Sequence, residues 1–246
     1  MIPKSQLKIF TSLGKKKFRN EAGVFLVEGR KLVEESMRSD ANIKHVIATD
    51  VFFNEWNQVI DESIRVVAGA KDMERISSLK TAPEVIAVVH QFEEKGVYGN
   101  AEIIIALDGI NDPGNFGTII RTCDWFGVTQ IICSENCVEL YNPKVIQASM
   151  GSVFRVNIHY ASLGTELHNL KNGHSYKVLL ADAKGSQAID NSNKEKKILL
   201  MGSESHGVSE ELYALADEKI AIPKYGEAES LNVAIANAIL LSQLKN

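Results

Sequence analysis

The sequence predicts an α/β protein in two parts, the second built on a mostly parallel sheet, and three observations carry that expectation. Short apolar runs rich in β-branched residues, such as "EIIIALDGI" (102–110) and "ILLMG" (198–202), alternate with segments whose apolar residues recur at helical spacing. These runs are apolar throughout rather than at every second residue, as strands covered on both faces are. The charged, glycine-bearing stretch "EEKGVYGN" (93–100) interrupts the alternation and marks a boundary, giving domains of residues 1–95 and 100–246. With 246 residues and 45% hydrophobic content the chain can fill two such cores.

The elements follow in order. A basic helical segment opens the chain, then come the strand-like "GVFLVEG" (23–29), a helix "RKLVEESMRS", the runs "HVIATD" and "IRVVAGA", a helix from near Lys71, and the strand "EVIAVVHQF". Beyond the boundary, strand 102–110 runs into "NDPGNFGTIIRT" (111–122), where a turn must precede a helix carrying Phe116, Ile119, Ile120 and Cys123 on one face and stopping at Gly127. Strand "QIICS", a helix from Pro143, strand "VFRVNIHY", helix 162–171 and strand "KVLLADA" come next. The polar loop "SQAIDNSNKEKK" leads to strand "ILLMG", helix 209–216, strand "KIAIP" and a last helix from about Ser230. That last helix is apolar nearly all round, with Leu231, Val233, Ile235, Ile239, Leu240 and Leu241 on several faces, and so calls for burial on more than one side.

Composition narrows the function classes. No run approaches the ~20 apolar residues of a membrane span, and the polar start "MIPKSQLKIF" does not read as a secretory signal. A cytoplasmic protein is expected. Cys123, Cys133 and Cys137 form an odd set without C-x-x-C spacing, so neither a disulfide framework nor a zinc site is predicted, and the thiols read as reduced and buried. The six histidines lack metal-ligand spacing, and no metal is expected.

The net charge of −4 is unevenly spread. Residues 1–31 carry eight basic side chains (Lys4, Lys8, Lys15, Lys16, Lys17, Arg19, Arg30 and Lys31) against Glu21 and Glu28, a surplus of six, which leaves −10 on the remainder. Such a basic end on an acidic body suits a polyanion, although a solvated basic face has the same pattern.

If the second sheet is parallel, three glycine-bearing turns leave the same edge: "NDPGNFG" (111–117), "GSESHG" (202–207) and "PKYGEAESLN" (223–232). That edge is where open α/β sheets bind ligands. There is no G-x-G-x-x-G after the first strand and no G-x-x-x-x-G-K-[ST], which argues against a nucleotide-binding oxidoreductase and against a P-loop.

Taken together, the three turns resemble the signature motifs of the SpoU family of RNA ribose methyltransferases, within the SPOUT superfamily. The first is present as "NFGTIIRT", with Asn115, Gly117 and Arg121; the second as "ILLMGSESHG"; the third as "IPKYGEAESLNV". The resemblance covers residues 102 to about 244, and "FLVEGRKLVEE" and "KTAPEVIAVV" are similar to pieces of the substrate-binding domain that often precedes it. Lys224 stands where an apolar residue is usual and Ala234 where serine is frequent.

The resemblance implies an α/β catalytic domain with a trefoil knot, S-adenosylmethionine (AdoMet) as cofactor, a homodimer, and methyl transfer to a ribose 2′-hydroxyl of structured RNA, ribosomal rather than transfer RNA. It places Ala181, Met201, Gly202, Ile222 and Leu231 in the cofactor pocket, with Gly202 letting backbone approach the ligand. Arg121 would clamp an RNA phosphate beside the reacting ribose, because a guanidinium is too basic to take a proton. Asn115, Glu204, Ser230 and Asn232 would fix Arg121, the ribose and the methionine moiety. Judged singly, Asn115 and Ser230 would be helix caps, Arg121 a solvent-facing arginine and Glu204 a loop acid. Lys15, Lys16, Lys17, Arg19 and Arg30 are the candidate RNA contacts. A transfer-RNA 2′-O-methyltransferase and a catalytically silent RNA-binding protein of the same fold are the competing readings.

Overall fold

The computed structural model describes residues 2–56, 59–186, 195–203 and 206–245. Along the chain run α1 (Lys4–Ser12), α2 (Lys16–Ala22), β1 (Val24–Glu28), α3 (Arg30–Met37), β2 (Ile43–Ala48), α4 (Asp50–Glu55), β3 (Arg65–Val67), α5 (Ala70–Ile76) and β4 (Val85–His90). Then follow β5 (Ile103–Asp108), α6 (Pro113–Trp125), β6 (Gln130–Cys133), α7 (Pro143–Ser149), β7 (Asn157–Tyr160), α8 (Leu163–His174), β8 (Lys177–Ser186), β9 (Lys197–Gly202), α9 (Glu210–Tyr213), β10 (Glu218–Ile220) and α10 (Val233–Leu244). The chain divides into two compact units, one of Met1–Glu93 with Glu139–Phe154, the other of Glu94–Val138 with Arg155–Asn246.

In the first unit a four-stranded sheet runs β1-β4-β2-β3. β4 is antiparallel to both β1 and β2, and only β2 and β3 are parallel. Leu7, Phe10 and Leu13 close one side of the core on Leu26, Ile47 and Ile86, with α1 resting on α5. The segment 139–154 belongs here because its side chains are anchored here: Gln147 donates to the Glu28 carbonyl at 2.8 Å, and Tyr141 packs on Phe25 and Phe92.

Arg19 corrects the picture of a uniformly exposed basic segment. It is only 2% exposed, its guanidinium grips both carboxylate oxygens of Glu139 at 2.7–2.9 Å, and it donates to the Leu13 carbonyl. Arg19 is therefore a buried strut that cannot reach an RNA phosphate. Arg30 is half-exposed but committed, bonded to Glu84 and Glu55 and lying over the Phe52 and Trp56 rings. Lys15, Lys16 and Lys17 remain exposed.

The second unit holds a six-stranded sheet, β10-β8-β9-β5-β6-β7, parallel throughout. Its strands are continuous apolar runs because helices cover both faces; Ile104, Ile132, Val178 and Leu200 meet Leu167 and Leu170 of α8 on one side. Asp108 is in register with Gly202, so the turns after β5 and β9 leave adjacent strands together. Between those two strands the chain order reverses, the place where parallel sheets open a crevice.

Several boundaries differ from the sequence reading. The strand expected over 153–160 is confined to Asn157–Tyr160, because Ser152–Phe154 coils into a 3₁₀ turn of the first unit. The helix expected over 209–216 is one turn, Glu210–Tyr213. The last helix begins at Val233, not Ser230, since Asn232 caps it.

Candidate active site

Helix α6 starts earlier than its apolar spacing indicates. Asp112 accepts from the Asn115 backbone N–H at 2.7 Å and Pro113 occupies the first helical position, so Asp112, not Asn115, is the cap. This releases the Asn115 side chain for other work. One face of α6 buries Phe116, Ile119, Ile120 and Cys123. The opposite face presents Thr118, Arg121 and Trp125, the last 84% exposed. Among the described residues Arg121 has no ion pair or hydrogen-bond acceptor.

Asn232 uses both ends of its amide. Its Oδ1 accepts from the N–H groups of Ala234 and Ile235 at 3.0 and 3.3 Å, which caps α10. Its Nδ2 donates to Oδ1 of Asn115 at 2.8 Å. The start of α10 is thus tied to the first turn of α6, and the two helices pack along each other. Among the described residues Asn115 and Asn232 hold each other. Six residues at 1.5 Å rise place Arg121 about 9 Å further along α6. Ser230 is exposed and precedes the helix, so it is not a cap. Glu204 lies outside the described residues.

At the carboxyl ends of β8, β9 and β10 lies a cavity of about 560 Å³. Ala181, Met201, Gly202, Ile222 and Leu231 all line it, as do Ser230, Leu240 and Val233. Asp182 and Tyr213, which the sequence reading passed over, line it too. Packing within the protein already requires a glycine at 202. A Cβ there would stand 2.1 Å from the Gly207 carbonyl carbon, because the turn folds back so that Ser203 and Gly207 exchange backbone hydrogen bonds. The neighbouring backbone of the returning turn leaves no room for a side chain at this position.

The cysteines are free and buried. Burial pushes the Cys123 and Cys133 thiols well up, whereas Cys137 is lowered to about 6. The Cys133 thiol is the largest cause, helped by Ser134 and by the N–H groups of Ile110 and Gly109, against the opposing effect of burial. Cys137 thereby braces the Gly109–Ile110 turn that leads into α6, with Ile110 N–H donating to its sulfur at 3.3 Å.

Comparison with known proteins decides the family. Residues 102–242 match the SpoU rRNA Methylase family, and residues 4–87 match an MRM3-like substrate binding domain. The chain belongs to the SpoU rRNA methylase family. Among SpoU relatives, the 23S rRNA (guanosine(2553)-2′-O)-methyltransferase RlmP of Bacillus subtilis is 30% identical, over 98% of this chain and 96% of its own. The 23S rRNA (uridine(2479)-2′-O)-methyltransferase of Streptomyces viridochromogenes is 26% identical, over 93% and 85%. The crystal structure of an AdoMet-bound rRNA methyltransferase from Sinorhizobium meliloti superposes with a TM-score of 0.87 at 29% identity, over 100% of this chain and 95% of that one. The three segments read as SpoU motifs are those that build the site: the first supplies α6, while the second and third border the cavity and the third ends on the α10 cap.

Proposed function

We propose that this SpoU-family protein transfers the methyl group of AdoMet to a ribose 2′-hydroxyl of ribosomal RNA. The observation that carries the proposal is the convergence of three sequence-distant turns: two enclose the cavity, and the third delivers Asn115 to Asn232 beside it. Leu231 and Val233, which flank Asn232, both line the cavity wall.

The residues present fit AdoMet. A cavity of about 560 Å³ has the size of a small-molecule site, and its aliphatic walls, Met201, Ile222, Leu231 and Leu240, suit an adenine between them. Asp182, Ser203 and Ser230 supply the few polar groups that fix orientation. AdoMet, when bound, supplies an electrophilic methyl. The chain's task is to bring a weakly nucleophilic hydroxyl in line and to let its proton go.

Arg121 serves this task as a clamp on the RNA phosphate next to the reacting ribose. It is exposed and uncommitted among the described residues, and that phosphate or an ordered water takes the proton. Asn115 and Asn232 hold the two helix starts at a fixed spacing, so that Arg121 and the cavity keep one relative position. Ser230 completes the polar rim, and Glu204 is proposed to share in fixing the ribose or the methionine moiety.

Residues 1–95 act as the RNA-binding domain, with Lys15, Lys16 and Lys17 as phosphate contacts, and residues 100–246 as the methyltransferase domain. The last part of the chain, which runs from β10 at the sheet edge to α10 packed on α6, forms the trefoil knot. The protein works in the cytoplasm as a homodimer, supported by Trp125, Leu231 and Ile235, which stand exposed on or beside α6 and α10. Light scattering should give twice the mass of the 27.1 kDa chain; a monomer at micromolar concentration overturns the pairing.

The test of the activity is methyl transfer from labelled AdoMet to total RNA of a strain lacking the gene, followed by mapping of 2′-O-methyl positions. A new site in ribosomal RNA is expected. A site in transfer RNA would redirect the substrate, and AdoMet binding without transfer would favour the silent RNA-binding reading.

A further inference from the structure

One polar corner of the cavity is built with more care than its exposure requires. Asp182, in β8 just beyond the part of the strand paired with β9, accepts the Lys184 backbone N–H on Oδ1 at 2.8 Å and the Tyr213 hydroxyl on Oδ2, also at 2.8 Å. Tyr213 is in turn held by Lys219, whose Nζ lies 4.1 Å from the ring centroid. The carboxylate is therefore held at both oxygens, by the backbone of its own strand and by Tyr213 of α9, with Lys219 of β10 behind the tyrosine ring. The Lys184 N–H is the largest cause of its lowered pKa, with Tyr213 and the charges of Lys219 and Lys184 adding to it against partial burial.

A carboxylate has roughly four lone-pair sites and only accepts, so with two contacts among the described residues Asp182, which lines the cavity, has capacity for a ligand that donates. The donors that suit a fixed pair of oxygens are two adjacent hydroxyls. An acidic side chain carried by a parallel α/β sheet reads ribose hydroxyls in dinucleotide-binding folds. We infer that Asp182, oriented by Tyr213 and Lys219, is the acceptor for the ribose hydroxyls of the cofactor and so a determinant of its binding. This rests on the AdoMet reading above and adds a residue outside the three motifs. Tyr213 and Lys219 are positioning residues, since they act through Asp182.

The experiment is calorimetric binding of AdoMet, S-adenosylhomocysteine and the 2′,3′-dideoxy form of S-adenosylhomocysteine to the full-length protein and to Asp182→Asn. The variant should bind the first two about tenfold more weakly, by equal factors, because both carry the diol and one charged hydrogen-bonded acceptor is lost. It should bind the dideoxy ligand as the unaltered protein does. Tyr213→Phe should show the same pattern with a smaller loss. Stoichiometry reports the folded fraction separately from Kd, so poor folding does not imitate the effect. A loss confined to AdoMet would mean that Asp182 reads the sulfonium charge, an equal loss for the dideoxy ligand that it reads some other donor, and no loss that it touches no cofactor; each overturns the inference. If the unaltered protein binds neither AdoMet nor S-adenosylhomocysteine, the cofactor reading itself falls.

Discussion

Asn232 Nδ2 donates to Asn115 Oδ1 at 2.8 Å while Asn232 Oδ1 caps α10, so one amide closes a helix and fastens it to the helix that carries Arg121. The two roles can be separated by substitution. Asn232→Ala removes both and should cost about 1 kcal/mol of stability through the cap alone. It should also lower methyl transfer at least about tenfold, or ~1.4 kcal/mol of transition-state stabilisation. Asn232→Ser keeps a capping oxygen but has no amide to reach Asn115. It should recover the stability and leave the rate low; recovery of both would reduce Asn232 to a cap.

Arg121→Ala should abolish methyl transfer and leave AdoMet affinity nearly unchanged, since the side chain lines no part of the cavity. Thermal stability should stay within about 0.5 kcal/mol, as for exposed positions away from any packed or bonded feature. Full activity in this variant would remove Arg121 from the mechanism, and a large loss of AdoMet affinity would place it at the cofactor instead.

The parallel sheet and the three converging turns were legible because they rest on local signals: β-branched apolar runs, glycines at turns and helical spacing. Cap positions were less so. Several polar residues near "NDPGN" and "ESLN" can each cap a helix, and only the folded backbone chooses Asp112 and Asn232 over Asn115 and Ser230. The roles of Arg19 and of segment 139–154 were illegible for a different reason. Their contact, Arg19 with Glu139, spans 120 residues, and nothing local distinguishes an arginine about to be buried from the lysines before it. Asp182 and Tyr213 form their pair across 31 residues and belong to no motif.

Cys137 yields a prediction about pH. Its folded pKa, lowered to about 6, lies below the value near 8.5 of an unfolded thiol, so between these pH values the unfolded chain binds the extra proton. The contribution to stability therefore grows as pH rises through that window and is lost as pH falls through about 6. Urea unfolding at intervals across this range should show the unaltered protein gaining stability relative to Cys137→Ser. Parallel curves for the two proteins would mean that the sulfur keeps its proton in the folded state.

The basic amino-terminal segment gives the last prediction, because its cations divide into two physical classes. Lys15, Lys16 and Lys17 are exposed, and the one ion pair involving them among the described residues, Lys17 with Glu21 at 3.8 Å, is a solvent-screened contact of little worth. Replacing all three by glutamine should weaken RNA binding and reduce the log–log salt slope by about 0.7 to 0.9 per lost phosphate contact, with AdoMet binding unchanged. Arg19→Gln should behave otherwise. Removing the guanidinium leaves Glu139, whose side chain is 14% exposed, without its buried partner, and breaking such a pair costs about 3–5 kcal/mol. That loss should be visible as a fall in melting temperature before any RNA is added. Should the triple-lysine variant bind RNA with an unaltered slope, the segment is a solvated face and RNA is held elsewhere. Should Arg19→Gln melt normally yet bind RNA poorly, Arg19 would return to the list of phosphate contacts.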